Sequence, residues 1–126
     1  MQRSASLAAE PKSVSEARAL LRGALSGSGI DRQRAQDVLL VTSELVENAI
    51  LHGSRPGDRV EMEFQLAEHR FSLCVRDAGR GAAAPQPLAL GAERTAGRGL
   101  AIVSRLARWS ERVVDGRREV RAEIDL

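Results

Sequence analysis

The sequence predicts an α+β fold: a two-layer α/β sandwich whose mostly antiparallel sheet carries its helices on one face. Three observations predict it. Apolar residues recur at helical intervals from Ala17 to Ile50, switch to strict alternation between Val60 and Val75, and alternate again from Val120 to Leu126. Helices followed by strands, a loop and helix, then more strands favour a layer of helices over a sheet, with sequence neighbours paired antiparallel.

Residues 1–12 are small and polar with Pro11, and read as either a flexible arm or one short edge strand. Ser13 and Glu16 have capping-box spacing, and Ala17, Leu20, Leu21, Ala24 and Leu25 follow on one helical face, which Ser26-Gly27-Ser28-Gly29 ends. Asp31 offers an N-cap to the longest helix, traced by Ala35, Val38, Leu39, Thr42, Leu45, Val46, Ala49 and Ile50 to a stop at Gly53. Past Ser54-Arg55-Pro56-Gly57-Asp58 the period becomes two. Val60, Met62, Phe64 and Leu66 alternate with Glu61, Glu63, Gln65 and Ala67, so one face is buried and the other wet. The Glu68-His69 corner leads to a hairpin partner, with Phe71, Leu73 and Val75 inward. From Asp77 to Ala96 glycine, alanine and proline dominate, and Pro85 and Pro87 argue for a loop or lid. A third helix runs from about Gly97 through Leu100, Val103, Leu106 and Ala107, and two closing strands flank an Asp115-Gly116 turn.

Composition removes several classes of function. The 126 residues, 43% hydrophobic and 29% charged, suit one globular domain. Nineteen basic against seventeen acidic residues leave a net charge of only +2, with arginines interleaved among glutamates. Without a basic stripe, and with only Phe64, Phe71 and Trp109 as aromatics, nucleic acid is not an expected partner. No apolar run approaches the roughly 20 residues that span a bilayer, and Met1 to Ser6 lacks a secretory apolar segment, so the chain reads as cytoplasmic with no membrane partner. The single cysteine, Cys74, reads as a small buried thiol.

Three places depart from what packing alone would choose. In Glu44-Leu45-Val46-Glu47-Asn48-Ala49, Glu44 and Asn48 stack one turn apart, bordered by Leu40, Val41 and Leu51. That suits a cleft better than open water, and an oxygen pair there could serve a phosphate-bound Mg²⁺ and a proton transfer. In Asp77-Ala78-Gly79-Arg80-Gly81, an acid at a strand end precedes two glycines; the carboxylate can accept from an amino group such as adenine's while glycine admits the ring. In Gly97-Arg98-Gly99-Leu100, glycines open a helix, where unpaired N–H groups attract phosphate. Each segment has a plain structural alternative: a solvated helix face, a turn, a loop-to-helix junction.

The order and spacing of the three resemble the nucleotide boxes of the GHKL (histidine-kinase-like) ATPase superfamily, across about Leu7 to Leu126. Within it, Ser43 to Ala49, His52-Gly53 and Gly97-Arg98-Gly99-Leu100 look like the anti-sigma-factor serine/threonine kinases of bacteria. The resemblance implies the Bergerat ATP-binding fold over residues 13–126, with ATP and Mg²⁺ as cofactors. Glu44 would be the general base for the substrate hydroxyl, and Asn48 would ligate Mg²⁺. Asp77 would hold the adenine amino group, with Gly79 and Gly81 shaping its pocket. Thr95, Gly97, Arg98, Gly99 and Leu100 would surround the phosphates, under a lid of residues 82 to 96. The implied partners are an RNA polymerase sigma factor, sequestered by binding, and an anti-anti-sigma protein of the STAS type, phosphorylated on serine; a homodimer is also implied. Glu47 departs from the family pattern, in which a small hydroxyl residue often stands. The alternative is a non-catalytic, ATP-dependent module that sequesters a regulatory partner. A histidine-kinase fragment is disfavoured, because no phosphoacceptor helix has room upstream and His52 and His69 are not placed for that role.

Overall fold

The computed structural model describes residues 1–80 and 97–126. Among them, three helices and five strands build the α+β fold. The helices are α1 (Ser13–Leu25), α2 (Arg32–Gly53) and α3 (Gly97–Leu106), and the strands β1 (Gln2–Ala8), β2 (Arg59–Leu66), β3 (Arg70–Asp77), β4 (Arg108–Val114) and β5 (Arg117–Asp125). The sheet runs β1-β2-β3-β5-β4, and all four pairings are antiparallel. The final hairpin closes on Asp115 and Gly116 at φ 53° and 78°, the left-handed pair that a two-residue turn between twisted strands requires. That hairpin folds back so that β5 lies beside β3, and residue Asp77 pairs in register with Arg118.

Alternation delivers the core. Val60, Met62 and Phe64 of β2, Phe71, Leu73 and Val75 of β3, and Val120, Ala122 and Ile124 of β5 all bury against Leu21 of α1 and Val38, Val41, Leu45 and Val46 of α2. Phe64 and Phe71 meet with ring centroids 6.2 Å apart. Each such side chain contributes about 1.5–3 kcal/mol of apolar burial, so the sandwich needs no disulfide, and Cys74 is free and buried. Burial pushes its thiol up, away from reactivity.

The opposite face of the sheet is charged. Glu119 is buried there and accepts hydrogen bonds from Arg76 Nε at 2.7 Å, Arg112 Nε at 2.8 Å and Arg121 Nε at 2.8 Å. Burial alone would raise its carboxyl, but the three guanidinium bonds outweigh that and hold it at about 2.

Two expected helix starts differ in detail. The Ser13-Glu16 capping box does not form: the turn closed by Ser13 N–H on the Glu10 carbonyl at 3.0 Å moves the N-cap to Lys12. Ser13 then lies inside the first turn, fully buried, and its hydroxyl has no hydrogen-bond partner among the described residues. Asp31 is the N-cap of α2, but its side chain makes no capping bond. Among the described residues no helix is long and apolar enough to cross a membrane.

Candidate functional site

The inward face of β3 ends in an acid. Continuing the alternation of Phe71, Leu73 and Val75, Asp77 enters the layer between sheet and helices and is 1% exposed. A buried carboxylate needs partners. Its Oδ1 accepts the Gly79 N–H at 2.7 Å and its Oδ2 accepts Arg118 Nε at 2.8 Å. Arg118 Nη2 lies 2.6 Å from the same Oδ2 but is poorly directed; this buried nitrogen pairs by charge and makes no hydrogen bond among the described residues. Beyond Arg118 stands Glu111 of β4, 3.8 Å from Nη1. Burial pushes the Glu111 carboxyl up, Arg118 pulls it back and Asp77 adds to the rise.

Bare backbone surrounds Asp77. A Cβ on Gly53, the last residue of α2, would overlap the Asp77 carboxylate, so only glycine lets the helix end come this close. Gly79 has φ 73°, and a Cβ there would overlap the Gly116 carbonyl of the β4–β5 turn. Arg80 N–H donates to the Gly53 carbonyl at 3.1 Å, and its guanidinium pairs with Asp58 through two 3.0 Å bonds. The strand end, the helix end and the hairpin turn are thus tied together around one acid.

One and two turns back along α2 stand the other polar groups. Asn48 is 6% exposed, and its Oδ1 is buried with no hydrogen-bond partner among the described residues. An orphaned buried acceptor costs about 1–3 kcal/mol unless something binds it. A hard cation takes such an oxygen, so the residue fits a Mg²⁺ ligand. Among the described residues no three acidic, His or Cys groups cluster to hold a metal. Glu44 is half-buried; burial first, and then the nearby Glu47, push its carboxyl up. It lies against the opening of α3, where a Cβ on Gly99 would come within 2.9 Å of its Oε2. Leu100 packs into the core at 5% exposure and anchors that helix start, whose first N–H groups have no helical acceptor. Glu44, Asn48 and Gly53 span about 14 Å of helix axis at 1.5 Å per residue.

The structure therefore brings Glu44 to Gly99, and Asp77 to Gly79, with α2 linking the two groups. Gly97 and Arg98 open α3; Gly81, Thr95 and the stretch 82–96 lie outside the described residues. Leu40 and Leu51, expected beside the polar pair, are 38% and 57% exposed, and only Val41 is buried. At about 100° per residue Leu51 lies about 160° around α2 from Gly53, which faces Asp77, and Leu40, eleven residues earlier, shares the side of Leu51, so both point away from the sheet. Glu47 is exposed and lines a cavity of about 230 Å³ with Pro11, Val14, Ile50 and Leu51. A cavity of about 550 Å³ on the open sheet face, walled by residues such as Glu63, Arg108 and Arg121, does not touch the site. Two residues of the site escaped the sequence reading. Gly53 was legible as a helix stop and as part of the His52-Gly53 resemblance, with no site role of its own, whereas Arg118 left a signal: it is the charged member of the inward series Arg118, Val120, Ala122, Ile124.

Residues 7–124 match the model of the histidine kinase-like ATPase domain. The chain belongs to that family. An ATPase domain implies ATP binding, and the family's fold recurs in known structures. One is that of the RsbU and RsbW domains of Rv1364c from Mycobacterium tuberculosis, at TM-score 0.68 and 23% identity, covering 100% of this chain and 33% of the other. This chain therefore spans about a third of that one. Another is the SiaB–SiaC complex from Pseudomonas aeruginosa, at TM-score 0.65 and 16% identity, covering 98% and 89% of the two chains. At these identities the likeness is one of fold. No curated protein matches the chain closely enough to count as a relative.

Proposed function

We propose that this ATPase-family domain is an anti-sigma regulator with serine kinase activity, binding ATP with Mg²⁺, sequestering a sigma factor and phosphorylating a STAS-type anti-anti-sigma protein. The observation that carries the reading is α2 itself, which presents a buried, unpartnered Asn48 oxygen one turn from a half-buried Glu44 lying against the opening of α3. The partners are proposed by analogy: one structure of this fold carries RsbW beside an RsbU domain, and the other is SiaB in complex with SiaC.

In this reading Asp77 accepts from the adenine amino group, while Gly53, Gly79 and Gly81 admit the ring. Asn48 Oδ1 would hold Mg²⁺, which supplies charge neutralisation of the phosphates when bound. Gly97, Arg98 and Gly99 present backbone N–H groups to the phosphates, with Leu100 fixing the helix and Thr95 alongside. Glu44 accepts the proton of the incoming serine hydroxyl as the serine oxygen bonds to the γ-phosphorus and ADP departs. Burial and then Glu47 raise the pKa of Glu44, which strengthens it as a base. The working form is a homodimer.

The test is transfer of label from γ-³²P-ATP to an anti-anti-sigma protein, alongside calorimetry with Mg-ATP. Wild type is expected to bind nucleotide and label the partner on serine, and Glu44→Gln to bind without labelling. Equal labelling by both proteins removes the base role. Binding with no transfer by either leaves the non-catalytic sequestering module, and no heat of binding at millimolar Mg-ATP removes the ATP site.

A further inference from the structure

The buried cation beside Asp77 has donors to spare. Arg118 occupies an inward position on β5 where its neighbours Val120, Ala122 and Ile124 are apolar, and its side chain is 10% exposed. An arginine needed only to neutralise Asp77 would direct both Nε and Nη2 at the carboxylate as a fork. Here Nε alone is directed at Oδ2, and Nη2 is buried, close to that oxygen, without a hydrogen-bond partner among the described residues. Nη1 is 3.8 Å from the nearest Glu111 oxygen, beyond hydrogen-bond reach. A buried guanidinium nitrogen without an acceptor is costly, and such groups call for an unseen partner.

Asp77 has matching spare capacity on the other sign. Its oxygens accept one directed bond each, from Gly79 N–H and from Arg118 Nε, and a carboxylate offers about four lone-pair sites. An unfilled acceptor and an unfilled donor therefore stand side by side, and both belong to the same ion pair. A ligand edge that satisfies both carries a donor next to an acceptor. The adenine edge does so, with the N6 amino group as donor and the adjacent ring nitrogen N1 as acceptor. Guanine held in the same pose opposes both groups, placing O6 against the carboxylate and N1–H against the guanidinium.

We infer that Arg118 is a specificity-determining residue of the nucleotide site, donating from Nη2 to adenine N1 while Asp77 accepts from the N6 amino group. The inference rests on the ATP-binding reading above and adds to it a second base-reading group, supplied by the C-terminal strand. Charge assists this bond, because the donor is cationic and water is excluded. Loss of such a bond in a buried site weakens binding about tenfold or more.

The experiment compares ATP, 1-deaza-ATP, which has C–H in place of N1, and GTP by calorimetry in magnesium buffer. The full chain is used as wild type and as Arg118→Lys, which keeps the charge beside Asp77 but cannot span both positions, with Arg118→Met as a second variant and thermal melting to verify folding. Wild type is expected to bind ATP about tenfold more tightly than 1-deaza-ATP and to disfavour GTP. In the variants that preference falls toward one, because the weakened ATP binding approaches that of the analogue. Equal affinity of wild type for ATP and 1-deaza-ATP overturns the inference, and this readout needs no variant to fold. An ATP to 1-deaza-ATP ratio unchanged in Arg118→Lys overturns it as well, since a merely structural arginine weakens both ligands alike. Failure of wild type to bind ATP at all instead removes the ATP reading itself.

Discussion

Substituting Gly53 by alanine tests the joint between helix and strand directly. The new Cβ would approach Asp77 Oδ1 to 2.6 Å and press more closely still on Cγ and Oδ2. Relief requires one side to move. Asp77 is tethered by Gly79 N–H and Arg118 Nε, and the Gly53 carbonyl is bonded to Arg80 N–H. Forcing one carbon into a packed site costs about 1–3 kcal/mol. Against this stands the helical preference for alanine over glycine, about 1 kcal/mol in a helix interior and less at its last residue. The clash wins, leaving a net loss of about 1–2 kcal/mol, or a Tm lower by roughly 4–8 °C for a domain of this size. Urea unfolding followed by circular dichroism should show a lower midpoint with an unchanged slope. Calorimetry should show weaker nucleotide binding, because the displaced carboxylate is the proposed adenine acceptor. Gly23→Ala in α1 is the control: nothing lies within 4 Å of its Cβ, and it should gain stability by about 0.5–1 kcal/mol. A Gly53→Ala protein as stable as wild type or more so would refute the tight approach of α2 to Asp77.

Asn48→Ala removes the orphaned oxygen, so its unfolding midpoint should match wild type or exceed it while magnesium-dependent ATP affinity drops about tenfold or more. Chemical denaturation paired with titration of nucleotide, with and without magnesium, separates the two effects. Glu47→Gln deletes the like charge that helps hold the Glu44 carboxyl up. The acid limb of phosphoryl transfer should move to lower pH in a rate–pH profile while the alkaline side stays in place, and an unmoved limb would show that Glu47 is screened from Glu44. Glu119 has its folded pKa depressed to about 2 from an ordinary value of 4.5. Its stabilisation is therefore complete above the unfolded value and disappears as pH falls from there toward 2. Glu119→Gln should lose stability at pH 7 and show a flatter acid limb in Tm measured from pH 5 to 2.5.

Periodicity is a property of neighbouring residues, and whatever depends on it was legible in the chain. The alternation through Val60 to Leu66 and Phe71 to Val75 identifies two strands and their inward faces, because side chains on a pleated backbone must alternate. The helical spacing from Ala35 to Ile50 likewise locates α2, and the chemical oddity of Glu44, Asn48, Asp77 and the glycines before Leu100 marks where a nucleotide site would lie. Caps were less legible, since Ser13 could serve only if the preceding turn left it outside the helix. Contacts between distant segments lay beyond the sequence. The pairing of Asp77 with Arg118 joins residues 41 apart and depends on β5 entering the sheet between β3 and β4. The need for glycine at position 53 exists only because the end of α2 meets the end of β3. Local pattern determines which face of each element is apolar, whereas the partners of a buried charge are chosen by register and packing, which no single segment of chain contains.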